Sequence, residues 1–182
     1  MKKPRLTLSV TRRDLIALLG ACCMLLSLVE HMIPKPLPFL RLGLANLPLL
    51  ISLGLLSAPQ VMLLASLKVV GQGLVTGTLF SYIFLLSAAG TFSSVLVMLV
   101  VRRIGGRYIS LIGISVMGAL SSTTAQLGLA SVFLFGAGTR YIVAPFLVVG
   151  LVTSVILGIA ASAFCTDSRW YQVSLMRINK DD

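Results

Sequence analysis

The chain has 182 residues, of which 57% are hydrophobic and 11% charged, and its mean hydropathy is +1.02. Soluble domains carry about 25% charged residues, so this composition excludes a water-soluble enzyme; the length allows about six or seven helical spans with short connections and no separate catalytic domain. The net charge of +10 does not point to nucleic acid, because the bases lie in short clusters beside apolar runs with few aromatics between them, and clusters of that kind set membrane topology.

Residues 1–14 are a basic N-terminus with Lys2, Lys3, Arg5, Arg12 and Arg13. They imitate a secretory signal, Thr11-Arg12-Arg13-Asp14-Leu15-Ile16 imitates a twin-arginine motif, and Leu19-Gly20-Ala21-Cys22 imitates a lipoprotein cleavage box. Too few apolar residues precede Cys22 to make a signal core of about 7–15 residues, and the apolar run continues to Ile33. An uncleaved first span from Leu15 to Ile33 is therefore expected, with Glu30 and His31 near its far end. Pro34, Pro36 and Pro38 then exclude a regular helix up to Arg41.

A short apolar helix is expected from Asn46 to Leu56, followed by a turn at Ser57-Ala58-Pro59-Gln60 and a third span from Val61 to Val75. Gly77-Thr78-Leu79-Phe80-Ser81 forms the next turn; a fourth span runs from Tyr82 to Val101 and stops at Arg102-Arg103. A fifth span covers Ile109 to Phe135, the loop Gly136-Ala137-Gly138-Thr139-Arg140 closes it, and a sixth covers Ile142 to Phe164. The chain thus reads as an all-α integral membrane protein, with a six-helix domain over residues 15–165 and a polar tail over 166–182.

The basic residues test this layout, since cytoplasmic loops are enriched in them. The segments expected inside hold Lys2, Lys3, Arg5, Arg12, Arg13, Arg102, Arg103, Arg107, Arg169, Arg177 and Lys180; those outside hold Lys35, Arg41 and Arg140. Eleven against three places both termini in the cytoplasm and requires the short second helix to count as a span.

A cation within an apolar helix costs several kcal/mol at the bilayer centre and normally faces a cavity or a partner. Lys68 is such a residue, and Gln72 and Thr76 follow it at i+4 and i+8 on one helical stripe. That stripe reads either as the polar wall of a ligand cavity or as a lysine snorkelling or bonded to a neighbouring helix. Asn46, Arg41, Gln126 and Arg140 are expected toward the outer side and could ring a pocket open to that side, with interfacial anchoring the competing reading for Arg41 and Arg140; so could Glu30 and His31, for which a local helix-end role is the competing reading.

Small residues four apart let helices approach closely in lipid, as at Ala17 and Ala21, at Gly118 and Ser122, and at Gly150, Ser154, Gly158 and Ser162. For the last two sets internal packing is the plain reading; for Ala17 and Ala21 docking to another membrane protein competes with it. Cys22, Cys23 and Cys165 show no paired metal or redox spacing. Gly71-Gln72-Gly73 lacks the βαβ context of a dinucleotide site. With five acidic residues in all, no metal site, cofactor or catalytic residue is expected.

The run Leu37-Pro38-Phe39-Leu40-Arg41-Leu42-Gly43-Leu44-Ala45-Asn46, with Gly77-Thr78-Leu79-Phe80-Ser81 and the Ala89-Gly90 step, resembles the small bacterial membrane family called Gx transporter, also labelled heptaprenyl diphosphate synthase component I. That family is similar to the substrate-binding S components of energy-coupling factor (ECF) transporters. The resemblance implies six helices in the bacterial cytoplasmic membrane that bind a small molecule from outside. It further implies gating loops at Pro34 to Ala45 and Gly73 to Ser81, and an Ala-x-x-x-Ala contact with a coupling subunit at Ala17 and Ala21. The synthase label fits poorly, because the aspartate-rich magnesium motifs of prenyl diphosphate synthases are missing from this sequence.

The resulting expectation is a non-enzymatic S component that captures a vitamin-like or anionic solute, with uptake driven by partner ATPases through a coupling membrane subunit. Asn46, Lys68, Gln72, Thr76 and Gln126 would contact the ligand, and Arg41 and Arg140 would attract it if it is anionic. The alternative is a non-catalytic membrane accessory subunit of isoprenoid or quinone synthesis, with Lys68 holding a diphosphate.

Overall fold

The computed structural model describes residues 12–33, 43–106, 108–135 and 138–181. Among these the chain is all helical: α1 (Arg12–Met32), a 3-10 turn (Leu44–Asn46) leading into α2 (Leu47–Leu55), α3 (Ala58–Val75), α4 (Tyr82–Gly105), α5 (Leu111–Ala130) continued by a π-helical turn (Ser131–Phe135), α6 (Thr139–Asp167) and α7 (Arg169–Asp181).

Local chemistry sets the boundaries. Ser57 and Gln60 form a capping box at the start of α3 with Pro59 in its first turn; the Gln60 side chain accepts the Ser57 N–H at 3.0 Å, so first-turn donors are satisfied without outside partners. Ser110 caps α5 by accepting the Gly113 N–H at 3.2 Å. Helix α4 ends with Arg102 and Arg103 in its last turn, where they complement the helix dipole, and with Gly106 at φ 48, a backbone conformation that glycine adopts without a Cβ clash.

Several boundaries differ from expectation: α3 begins at Ala58, inside the expected turn, and α4 runs past Arg102-Arg103 to Gly105. Helix α6 begins at Thr139, so Arg140 lies in its first turn and not in the preceding loop. The segment after Ser168 carries helix α7, whose Trp170, Tyr171 and Ile178 pack against the main apolar core. Its pattern is amphipathic, with Trp170, Tyr171, Ser174 and Ile178 turned inward and Gln172, Val173 and Met176 outward. The phenol of Tyr171, half-buried there and beside the Cys165 thiol, is pushed up to about 12.

Among the described residues four helices are long and apolar enough to cross a membrane: Ala58–Val75, Tyr82–Gly105, Leu111–Phe133 and Val143–Asp167. Their outward faces are greasy, as along Val148, Val152, Ile156 and Ile159 of α6, while inward faces carry Ser115, Ser122, Thr123, Gln126 and Ser154. This inverts the arrangement of a soluble protein and matches a hydrocarbon surround, in which polar groups must find partners inside. Helix α2, at about 1.5 Å per residue, is far shorter than a bilayer. Seven of its nine residues are buried, because α1, α3, α6 and α7 surround it.

Helices α5 and α6 approach closely. A Cβ at Gly158 would stand 2.8 Å from the Ile112 Cα, and the buried Ser115 hydroxyl donates to the Ser154 carbonyl at 2.8 Å. Backbone cannot yield as a flexible side chain can, so Gly158→Val is expected to destabilise the detergent-solubilised protein by about 1–3 kcal/mol. Gly128, with nothing within 4 Å of its would-be Cβ, serves as control: Gly128→Ala should leave the thermal midpoint unchanged or raise it. Equal losses at the two positions would count against the close crossing.

Candidate substrate cavity

The inward faces of the helices enclose a cavity of about 60 Å³ lined by Glu30 of α1, Gly43, Ala45 and Asn46 at the 3-10 turn, Lys68 and Gln72 of α3, Thr91 and Met98 of α4, Ser115, Ala119, Ser122, Thr123 and Gln126 of α5, and Phe146, Gly150, Thr153, Ser154 and Leu157 of α6. The spacing explains the wall. Lys68 and Gln72 are four apart, Ser115, Ala119, Thr123 and Gln126 recur every three or four residues, and so do Phe146, Gly150, Ser154 and Leu157; each set is one helical stripe.

Lys68 is 4% exposed, Glu30 5% and Gln126 7%. A charge so placed needs close partners, since removing an ion from water costs several kcal/mol even after relaxation. The Lys68 ammonium donates to the side-chain carbonyl of Asn46, and Glu30 Oε1 accepts the Gly43 N–H at 3.3 Å. Gln126 donates from Nε2 to the Ser122 hydroxyl at 3.0 Å. It has room because residue 90 is glycine: a Cβ there would lie 2.2 Å from that same nitrogen.

Of the residues singled out in the sequence as pocket candidates, Glu30, Asn46, Lys68, Gln72 and Gln126 come together around the cavity. Thr76 does not join them. It shares the stripe, but its hydroxyl donates to the Gln72 carbonyl at 2.8 Å and pairs with Thr78 at 2.8 Å, closing the end of α3. Arg41 lies outside the described residues, as does the side chain of Arg140. Ala17 and Ala21 are both exposed, one turn apart on α1.

Sequence reasoning gave Glu30 too little weight, and it did not select the hydroxyls of Thr91, Ser115, Thr123 and Thr153. A Ser or Thr in an apolar helix normally satisfies itself on its own backbone, as Thr153 does by donating to the Val149 carbonyl at 2.9 Å; only the periodicity of several such residues on one face distinguishes a cavity wall. The cysteines are free, and among the described residues no three His, Cys, Asp or Glu side chains gather as a metal site would require.

A second concavity, of about 400 Å³ and without polar lining, lies among Leu18, Leu19, Cys22 and Leu26 of α1, Leu47, Pro48 and Ile51 of α2, Phe164 of α6 and Trp170 of α7.

Long apolar helices around a buried polar chamber define an α-helical, multi-pass membrane protein. The sequence model of the family described as heptaprenyl diphosphate synthase component I matches residues 19–164, and the chain belongs to that family, as the proline-segment motif led us to expect. No curated protein and no solved structure matches it.

Replacing Lys68 separates its charge from its bulk. Lys68→Met leaves the Asn46 carbonyl short of a donor and should cost about 1–3 kcal/mol. Lys68→Glu puts a second carboxylate into the cavity that Glu30 lines and should cost more, about 3–5 kcal/mol. Thermal melts in detergent check the order, and the reverse order would mean that Lys68 does not face this cavity.

Proposed function

We propose that this chain is the membrane-embedded, non-catalytic substrate-binding component of an ECF-type transporter. It spans the bacterial cytoplasmic membrane six times with both ends inside, α1 and the shielded α2 completing the count. It captures a small polar solute from outside, and partner ATPases drive uptake through a coupling membrane subunit that docks on Ala17 and Ala21.

The observation that carries this reading is the cavity: two charged and three amide side chains converge inside a bundle whose outer surface is apolar. Intramembrane ionisable residues are expensive and mark binding sites or pathways. The eleven-to-three distribution of basic residues supports the orientation, and the exposure of Ala17 and Ala21 leaves them accessible to a partner helix. At about 60 Å³ the cavity suits a ligand of a few heavy atoms.

A second reading, an accessory membrane subunit of heptaprenyl diphosphate synthesis, draws on the family description and on the 400 Å³ apolar groove, which could take an isoprenoid chain.

Purification of the chain with mass spectrometry of its co-purified ligand tests the first reading. Lys68→Ala and Asn46→Ala are each expected to weaken ligand retention at least about tenfold, equivalent to about 1.4 kcal/mol. A ligand kept at unchanged affinity by both variants overturns the site, and recovery of a polyprenyl diphosphate favours the second reading. Ala17→Trp and Ala21→Trp should abolish co-purification with a co-expressed coupling subunit and its ATPases while ligand binding persists. A complex that survives both would move the docking surface elsewhere.

A further inference from the structure

Among the described residues, Glu30 and Lys68 are the two charged side chains on the cavity wall, and from different helices they reach the same short segment. Glu30 accepts the Gly43 N–H; Lys68 donates to the Asn46 side-chain carbonyl. Gly43 and Asn46 belong to one turn, closed by the Asn46 N–H on the Gly43 carbonyl at 2.8 Å. Within that turn, and beside the other partners that both residues have, the protein presents a neutral donor to its buried carboxylate and a neutral acceptor to its buried ammonium. A molecule carrying an ammonium and a carboxylate would present the same two functions with charge.

We propose that the cavity takes a small zwitterion, an amino-acid-like solute whose ammonium binds Glu30 and whose carboxylate binds Lys68, with Gln72 and Gln126 bonding what remains. The inference rests on the reading of the cavity as a solute site and names its substrate class. A carboxylate offers about four lone-pair positions and an ammonium three donors, so each group binds ligand in addition to, or in exchange for, its bond to the turn. Bonds between charged partners are roughly twice as strong as neutral ones. A lone anion at Lys68 would bring a second negative charge into the low-dielectric cavity that Glu30 also lines, and a lone cation at Glu30 would share it with Lys68 in the same way. A net-neutral dipolar ligand avoids both penalties. Exchange of the Gly43 and Asn46 bonds for ligand bonds would also tie occupancy to the turn that leads into α2.

The full chain in detergent, freed of co-purified ligand, is titrated calorimetrically with glycine, β-alanine and 4-aminobutyrate, and in parallel with acetate, methylammonium and acetamide. At least one zwitterion is expected to bind about tenfold tighter than every singly charged or neutral probe. Glu30→Gln and Lys68→Met should each erase that margin, the first raising acetate relative to the zwitterion and the second raising methylammonium. The unsubstituted chain decides the matter even if a variant elutes aggregated. Acetate or methylammonium binding as tightly as the best zwitterion overturns the zwitterion inference and leaves the cavity a solute site. Binding of none of the six probes overturns the inference as well. A co-purified ligand unaffected by Lys68→Ala and Asn46→Ala overturns the site itself.

Discussion

The hydrogen bond from Lys68 to Asn46 answers the hardest constraint in this molecule, which is how a cation can sit at 4% exposure in a bundle surrounded by hydrocarbon. An ammonium in that position needs oxygen acceptors and a counter-charge nearby. The 3-10 turn before α2 supplies the first through Asn46, and Glu30 of α1 brings the second to the same cavity. The turn is in turn held to α1 by Glu30 through the Gly43 N–H. One buried charge therefore organises three separate parts of the chain, and the hydroxyl and amide faces of α4, α5 and α6 complete the polar interior.

The remaining architecture follows from keeping polar groups inward. Helix α2 can be short because its neighbours shield it from lipid. Helices α5 and α6 cross so closely that Gly158 meets the Ile112 backbone, and the Ser115 to Ser154 bond spans the gap. On α4 and α5, Ser93 and Ser121 bond each other across the interface. Such small-residue contacts replace a hydrophobic driving force that is lost between helices in lipid.

Much of this was legible in the sequence because lipid enforces simple rules. The four long apolar helices found among the described residues lie close to where the hydropathy, the turns at Ser57 and Gly77 and the Arg102-Arg103 stop place them, and Lys68, Gln72, Asn46 and Gln126 stand out as polar residues that hydrocarbon cannot accommodate. Thr76 shares the stripe without lining the cavity because the stripe rule gives a direction and not a depth: one turn beyond Gln72 the helix ends, and the hydroxyl turns to its own backbone. Glu30 reads equally well as a helix-end residue, since sequence cannot show that the chain returns over it at Gly43. The packed face of α7 was hidden by its charges, which dominate the composition of the tail although Trp170, Tyr171 and Ile178 keep helical spacing.

The central claim, that a solute reaches a polar chamber inside the bundle from the outer side, is tested most directly by thiol labelling in intact cells. In a chain with Cys22, Cys23 and Cys165 changed to serine, single cysteines at Thr123 in the cavity wall and at Val152 on the exposed face of α6 are challenged with a membrane-impermeant thiol reagent. The account predicts that Thr123→Cys is modified from outside, more slowly when ligand is bound, and that Val152→Cys, facing lipid, is not. A Thr123→Cys chain that reacts only after the cytoplasmic side is opened, or at a rate indifferent to ligand, would contradict it.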